Sequence, residues 1–488
     1  DWSSDVCSSD LNAGSLLAAL PIELPERLRD FDGRTSGTVD IKGLPNNSQG
    51  EINLNAASGT IAGQAFDSLA VKAVFAGTNI NVEQADMKVG AGTLSVKGNY
   101  DRSSEAFNFA LNASSIPMPL ALSFLPRDAS LPTITGDVDL TANAQGVASR
   151  TSTYNVKFNG TARNVLVNNS AFGDVVFKGD TVNQMLNADL TATLGGQPQV
   201  VSATLNFGSS DLPFIVKTDF NQSPLAPFIA FIPALKDYPI TGVGTGHIEF
   251  GGNIGRVDQN GVRTYSAENM SGTASFSQLN LQLQDTPLNA AEPVLIRFNT
   301  RAIVFEKARF AGGGSNMTIA GTKALTENGD NDLSIEGRVN LSLLNLVSKD
   351  AFFSGLADTS MRISGPNSTA RLVGSANIVN GGLSAFLGTD RFTADRIQAR
   401  LIFTSDQVEI ENASGYLGGG KFTASGGGTL SGFALQAFRL GIAGQNVTVP
   451  LPKDFVTTGD AQLEISGDRK STRLNSSHTD ISRMPSSA

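Results

Sequence analysis

What most limits the folds open to this chain is an alternation of apolar and polar residues that returns, hairpin by hairpin, along its length. Residues 391–430 read RFTADRIQARLIFTSDQVEIENASGYLGGGKFTASGGGTL. Ile397, Ala399, Leu401 and Phe403 alternate with Arg396, Gln398, Arg400 and Ile402, the period of two expected when successive side chains point to opposite faces of a strand. Residues 404–406 supply turn chemistry, and Val408 and Ile410 then alternate with Gln407, Glu409 and Glu411. The spacing predicts two antiparallel strands with one apolar and one polar face, and a third strand after the turn at Gly418, Gly419 and Gly420.

Related stretches occupy residues 58–98 and 271–321, with a looser copy at 159–207. Glu83, Glu306 and Glu411 each stand two residues before Ala85, Ala308 and Ala413, and each is followed by a Gly-rich turn. A second kind of unit is a short apolar, Pro-punctuated stretch leading into a strand. Its strand-opening glycines, Gly37, Gly136, Gly244, Gly355 and Gly459, are 99, 108, 111 and 104 residues apart. A period near a hundred exceeds that of the familiar solenoids, so each period holds several strands. The apolar segments Met118 to Leu125 and Leu341 to Val347 are the expected short helices, too short to stand alone and placed against an open end or face of the sheet. With no long linker, one continuous all-β architecture is expected rather than separate domains.

The two ends read differently. One choice of codons makes residues 1–10 the reverse complement of residues 468–477, and that shared DNA resembles a sequencing adapter read in both directions. Residues 1–11 and 468–488 are therefore set aside from fold reasoning, leaving 12–467 as an internal piece of a longer chain. Cys7, Trp2 and His478 fall in those ends, so His247 is the one histidine between them, and the net charge moves from −9 to −8. A mildly acidic chain with no basic patch argues against nucleic acid as a partner. The longest apolar run, residues 224–235, is broken by prolines and too short to cross a bilayer as a helix.

Motifs for catalysis fail on their details. Residues 415–421, GYLGGGK, have phosphate-loop spacing, but Phe422 stands where a magnesium-binding Ser or Thr is needed. A hairpin turn explains them better. Gly242, Gly244 and Gly246 lie within strand-like sequence, not before a helix. A triad would have to be built on His247, and no G-x-S-x-G elbow supplies its nucleophile. Clustered Cys and His ligands are excluded by count, and acidic pairs such as Asp137 with Asp139 or Glu409 with Glu411 read as solvated strand faces. No catalytic residue, metal or cofactor is expected, and the chain does not read as an enzyme.

The pattern from Val408 to Gly426, alternating with units such as Leu131 to Gly146, resembles the TamB family of translocation and assembly module proteins within the AsmA-like superfamily. The likeness is one of repeat texture over residues 12–467. It implies a periplasmic protein anchored in the inner membrane and reaching the outer one. Its elongated antiparallel β-sheet would curl into an open groove, a β-taco, with short apolar helices between repeats. The groove would carry phospholipid acyl chains between the membranes, and an outer-membrane barrel partner (TamA-like) would join through a C-terminal region not evident here.

The residues agree on one physical point: a sheet with one apolar face and few elements to cover it must find acyl chains or a partner. The candidate lining residues are Ile80, Val82, Leu94, Val96, Ile303, Phe305, Ile319, Leu401, Phe403, Val408, Ile410 and Phe422. The same periodicity fits side chains sealed in a β-sandwich or β-helix core. Two other functions fit less of the sequence. One is a scaffold that assists outer-membrane β-proteins by strand addition at an open edge. The other is a β-solenoid acting on polysaccharide, which needs acidic residues with Arg or Lys in a cleft and aromatic platforms.

Overall fold

A computed structural model describes residues 11–12, 32–43, 47–61, 63–123, 133–194, 196–229, 238–257, 263–346, 348, 351–387, 390–431, 434–449, 457–468 and 471–475. The chain is all-β, and every described strand pairing is antiparallel. It divides into two compact units, residues 1–236 with 247–270 and residues 237–246 with 271–488.

The first unit holds β1 (Leu11–Asn12), β2 (Asp32–Lys42), β3 (Ser48–Ile61), β4 (Gln64–Phe66), β5 (Ser68–Gly77), β6 (Asn79–Val89), β7 (Gly92–Asp101), β8 (Ala106–Pro117), helix α1 (Met118–Ser123), β9 (Ile134–Val147), β10 (Arg150–Val167), β11 (Ser170–Val182), β12 (Met185–Leu194), β13 (Gln197–Asn206), β14 (Pro213–Pro224) and helix α2 (Ala226–Ile229). Residues of β15 (Ile240–Val257) and β16 (Arg263–Leu283) belong to both units.

The second unit adds β17 (Thr286–Ala290), β18 (Val294–Asn299), β19 (Ala302–Gly312), β20 (Ser315–Ala324), β21 (Asp330–Asn340), a 3-10 helix (Leu341–Leu346), β22 (Ala351–Pro366), a 3-10 turn (Asn367–Thr369), β23 (Arg371–Leu387), β24 (Asp390–Ser405), β25 (Gln407–Leu417), β26 (Gly420–Ser431), β27 (Ala434–Val449), β28 (Thr457–Asp468) and β29 (Ser471–Asn475). Successive strands pair as a meander, with β4 and β17 as short side branches.

The hairpin signals hold in detail. Leu401 faces Ile410 and Phe403 faces Val408 across β24 and β25. The GYLGGGK stretch is the next turn: Leu417 pairs with Gly420, and Gly418 and Gly419 stand at φ +56° and +89°. Two successive positive φ angles make the tight turn whose twist matches its flanking strands, and glycine adopts them without strain. A strand, not a helix, follows.

Both expected helical segments coil, as α1 and as the 3-10 helix at Leu341–Leu346; Phe124, Leu125 and Val347 lie outside the described residues. Leu120 of α1 is 1% exposed and joins Ile61, Phe66, Met87 and Ile116 in one cluster. In α2, Phe228 packs edge-on against Phe172 and Phe220. Asn345 of the 3-10 helix accepts from the Phe353 N–H at 2.7 Å and donates to its carbonyl at 3.1 Å. Such short coils are held by contacts of this kind rather than by propensity.

Candidate functional site

Side chains directly opposite each other on paired strands share a face, so the registers trace each face from strand to strand. In the first unit one line runs Gly37, Leu54, Val71, Ala85, Val96, Leu111, Ala142, Phe158, Gly179, Ala188, Ala203 and Val216, from β2 to β14. No polar side chain interrupts it. The reverse of the same strands carries Ser95, Asn112, Thr141, Asn159, Lys178, Asp189, Ser202 and Lys217.

The second unit repeats the arrangement. Ala308, Ile319, Ile335, Met361, Gly374, Phe403, Val408, Gly428, Phe438 and Gly467 form a line from β19 to β28. Beside it run Leu401, Ile410, Gly426, Leu440 and Ile465.

All the candidate lining residues lie on these apolar faces. In the first unit Ile80 and Val82 share a face with Leu94 and Val96. In the second, Ile303 and Phe305 share one with Ile319, and Leu401, Phe403, Val408, Ile410 and Phe422 occupy the continuation of that face. Within each unit the structure therefore places these residues on one face of the sheet.

Burial along these lines is graded. Leu54, Val71, Ala85, Val96, Leu111, Ala142, Phe158, Ala188, Ala203 and Val216 are all half-buried, as are Ile319, Ile335, Met361, Phe403, Val408 and Phe438. Sealed clusters form where another element covers the face: around Leu120 of α1, and around Val165, Phe172 and Val175 beneath Met118 and Phe228. Ile80 belongs to another buried group, with Ile41, Ile52 and Phe75. Leu94 packs against the first of these clusters, and Phe305, Ile319 and Ile335 pack against a further one of Leu333, Ile363 and Ala370.

The apolar face of the second unit ends in a polar margin. Lys323 stands opposite Ile303. Its Nζ donates to the Ala324 carbonyl at 3.0 Å and to Oδ1 of Asn331 and Asn367 at 3.2 and 2.6 Å. Partial burial pushes the Lys323 ammonium below its ordinary pKa. Asn331, 2% exposed, completes the group by donating to the Gly365 carbonyl and to Asn367 Oδ1.

His247 sits in the first unit with its Nδ1 2.7 Å from Asp219 Oδ1, while Lys217 pairs with Glu249 at 3.1 Å. No group of three or more His, Cys, Asp or Glu side chains placed to hold a metal occurs among the described residues. No described helix is long and apolar enough to cross a membrane.

Sequence reasoning missed the bulges. Glu83, Glu306 and Glu411 each begin a pair of consecutive exposed residues where β6, β19 and β25 carry one residue more than the strand that follows. Each Glu pairs with a cation on the preceding strand: Lys72 at 2.8 Å, Arg297, and Arg400 at 3.3 Å. The repeated Glu-x-Ala was the available signal, since two polar residues in succession break a period of two. No protein-family model, no curated protein and no solved structure matches the chain.

Proposed function

We propose that the apolar faces carry the acyl chains of phospholipid, as in the TamB-like proteins that the repeat texture resembles, and that the protein works in the periplasm in the traffic of lipid toward the outer membrane. The observation that carries this reading is the unbroken, half-buried apolar line of each unit, backed by a polar reverse face. At roughly 25 cal/mol per Å² of apolar surface removed from water, a tail lying along such a line gains several kcal/mol with no specific polar contact. Uniformity matters as much as depth. A line built from Val, Leu, Ile, Met, Phe, Ala and Gly offers no single position at which a tail is trapped, so movement along it needs no chemistry.

The test is lipid content. Full-length chain purified from a bacterial periplasm without detergent is extracted, and phospholipid per protein is measured by mass spectrometry. Phe403→Asp and Ile410→Asp each place a charge on the line, and both variants are expected to lose most of the bound lipid while keeping the β-sheet circular dichroism of the parent. Lipid-free parent protein, or Asp variants that carry as much lipid as the parent, would refute the proposal.

A further inference from the structure

The reverse face of the second unit holds a feature that lipid carriage does not use. Over β24 to β28 the sheet is concave on its polar side, with a recess of about 740 Å³ that adjoins a second of about 690 Å³. The two share Ser414, Thr423, Ala443 and Gln462, so they form one trough. Its cause lies in the registers. Each pairing from β24 to β28 contains an irregularity: between Asp395 and Gln398, Ile410 and Ala413, Thr429 and Leu430, and Gly444 and Val447. Bulges bend strands and raise their twist, and a sheet bulged at each successive pairing cannot stay flat.

One of these irregularities redirects a side chain. Arg396 stands at φ +50°, a left-handed conformation unusual for arginine, and its guanidinium lies 4.1 Å from the centroid of the Tyr416 ring. This fixes the Tyr416 ring at the trough wall, with one of its faces under the guanidinium. Along the floor, Gln398 faces Ser414, Ser414 faces Thr423, and Gln445 stands opposite Lys421. Among the described residues none of these five side chains makes a hydrogen bond to the protein. Their strands are about 4.8 Å apart, so the trough presents uncommitted amides and hydroxyls at regular intervals.

We infer that this trough binds a glycan chain. Side-chain amides donate and accept at once, which suits neighbouring sugar hydroxyls, and an aromatic plate suits the apolar face of a sugar ring. An extended peptide has less to hold: from β24 to β27 every strand is paired on both sides, so the trough floor offers no free backbone edge, and only the outer edge of β28 beside residues 460–462 has no described pairing. A strongly charged polymer is also a poor match, because Arg396 and Lys421 are offset by Asp460 and Glu464 on the same lining.

The test uses full-length chain with chitotetraose and cellotetraose as probes, read by isothermal titration calorimetry and ligand-observed NMR. At least one tetrasaccharide is expected to bind. Tyr416→Ala and the exposed pair Gln398→Ala with Gln445→Ala should each weaken binding roughly tenfold or more, with the lipid content of both unchanged. Phe403→Asp, on the other face, should leave the glycan affinity intact. Failure of both sugars to bind, equal affinity in the trough variants, or tighter binding of an extended uncharged peptide at the same residues would overturn the inference.

Discussion

Val82 and Ala85 stand three residues apart in β6 yet point to the same side of the sheet. Val82 faces Gly98 and Ala85 faces Val96, so three steps on β6 are matched by two on β7. Phe305 with Ala308, and Ile410 with Ala413, repeat the relationship on β19 and β25. An extra residue without a bulge would turn every later side chain of the strand to the opposite face. The bulge absorbs it, and the apolar line continues through Ala85, Ala308 and Ala413.

The alanine of this motif is therefore constrained by space, and its exposed neighbour is not. Ala308 is 0% exposed, whereas Lys307 is open to solvent. Ala308→Leu is expected to destabilise the protein by about 1–3 kcal/mol through overpacking. Lys307→Ala should stay within about 0.5 kcal/mol of the parent. Urea unfolding of the two variants checks this, and equal midpoints would contradict the assignment of Ala308 as the enclosed position.

Much of this was legible in the residues because strand period and turn chemistry are local. Leu401 and Phe403 against Ile410 and Val408, and the glycine turn at Gly418 and Gly419, follow from spacing alone. What could not be read was how deeply the apolar residues are covered. Ile80 and Val82 share a face, yet one is buried and the other half-buried, because Ile80 joins the cluster of Ile41, Ile52 and Phe75 and Val82 does not. The trough was hidden for a related reason: of its bulges only the one at Glu411 leaves a signal in the sequence, and the others show only as paired registers. Arg396 reads as an ordinary polar strand residue until its backbone angle is known.

Glycine placement yields a second expectation. Phe158 of β10 faces Gly179 of β11, and Phe177 faces Gly160. The two rings lie 6.2 Å apart, each over the other strand's glycine, where an added Cβ would come within 2.5 Å of a ring carbon. Small residues beneath rings keep the apolar face low and even. Gly179→Val should force Phe158 from its rotamer and cost about 1–3 kcal/mol, and Phe158→Ala introduced alongside it should recover part of that loss. Thermal unfolding of the single and double variants measures the recovery, and strictly additive losses would show that ring and glycine are not coupled.

The turn after β7 supplies a pH-dependent term. Asp101 Oδ1 accepts from the Ser103 N–H at 2.8 Å, the Ser103 hydroxyl at 2.7 Å and the Ser104 N–H at 3.3 Å. The Ser103 hydroxyl and then its N–H hold the carboxyl down to about 2 from an ordinary 3.8. Between those values the unfolded chain binds more protons than the folded one, so this stabilisation is complete above the ordinary value and lost as the pH falls toward 2. Asp101→Asn should flatten that part of the stability profile with little change in its slope above pH 5. An unaltered acid limb in urea titrations of the variant would exclude Asp101 as a contributor.

The polar margin around Lys323 provides a contrast in salt dependence. Lys72 and Glu83 form an exposed ion pair, and added salt weakens such pairs. Lys323 donates to three neutral oxygens, of Ala324, Asn331 and Asn367. Replacing it by methionine keeps the apolar stem and removes these hydrogen bonds, but each oxygen keeps another donor: the Ala324 N–H for Asn331 Oδ1, Asn331 Nδ2 for Asn367 Oδ1, and Asn367 Nδ2 for the Ala324 carbonyl. A hydrogen bond lost without leaving a bare acceptor is worth about 0.5–1.5 kcal/mol, so Lys323→Met should lower stability by about 1 kcal/mol, offset in part by removing a partly desolvated charge. The loss should be the same at low and at high salt, whereas any effect of Glu83→Gln should shrink as salt rises. A Lys323→Met penalty that disappears in high salt would mean that the ammonium is held by unrecognised charges and not by the amide oxygens that close this edge of the apolar face.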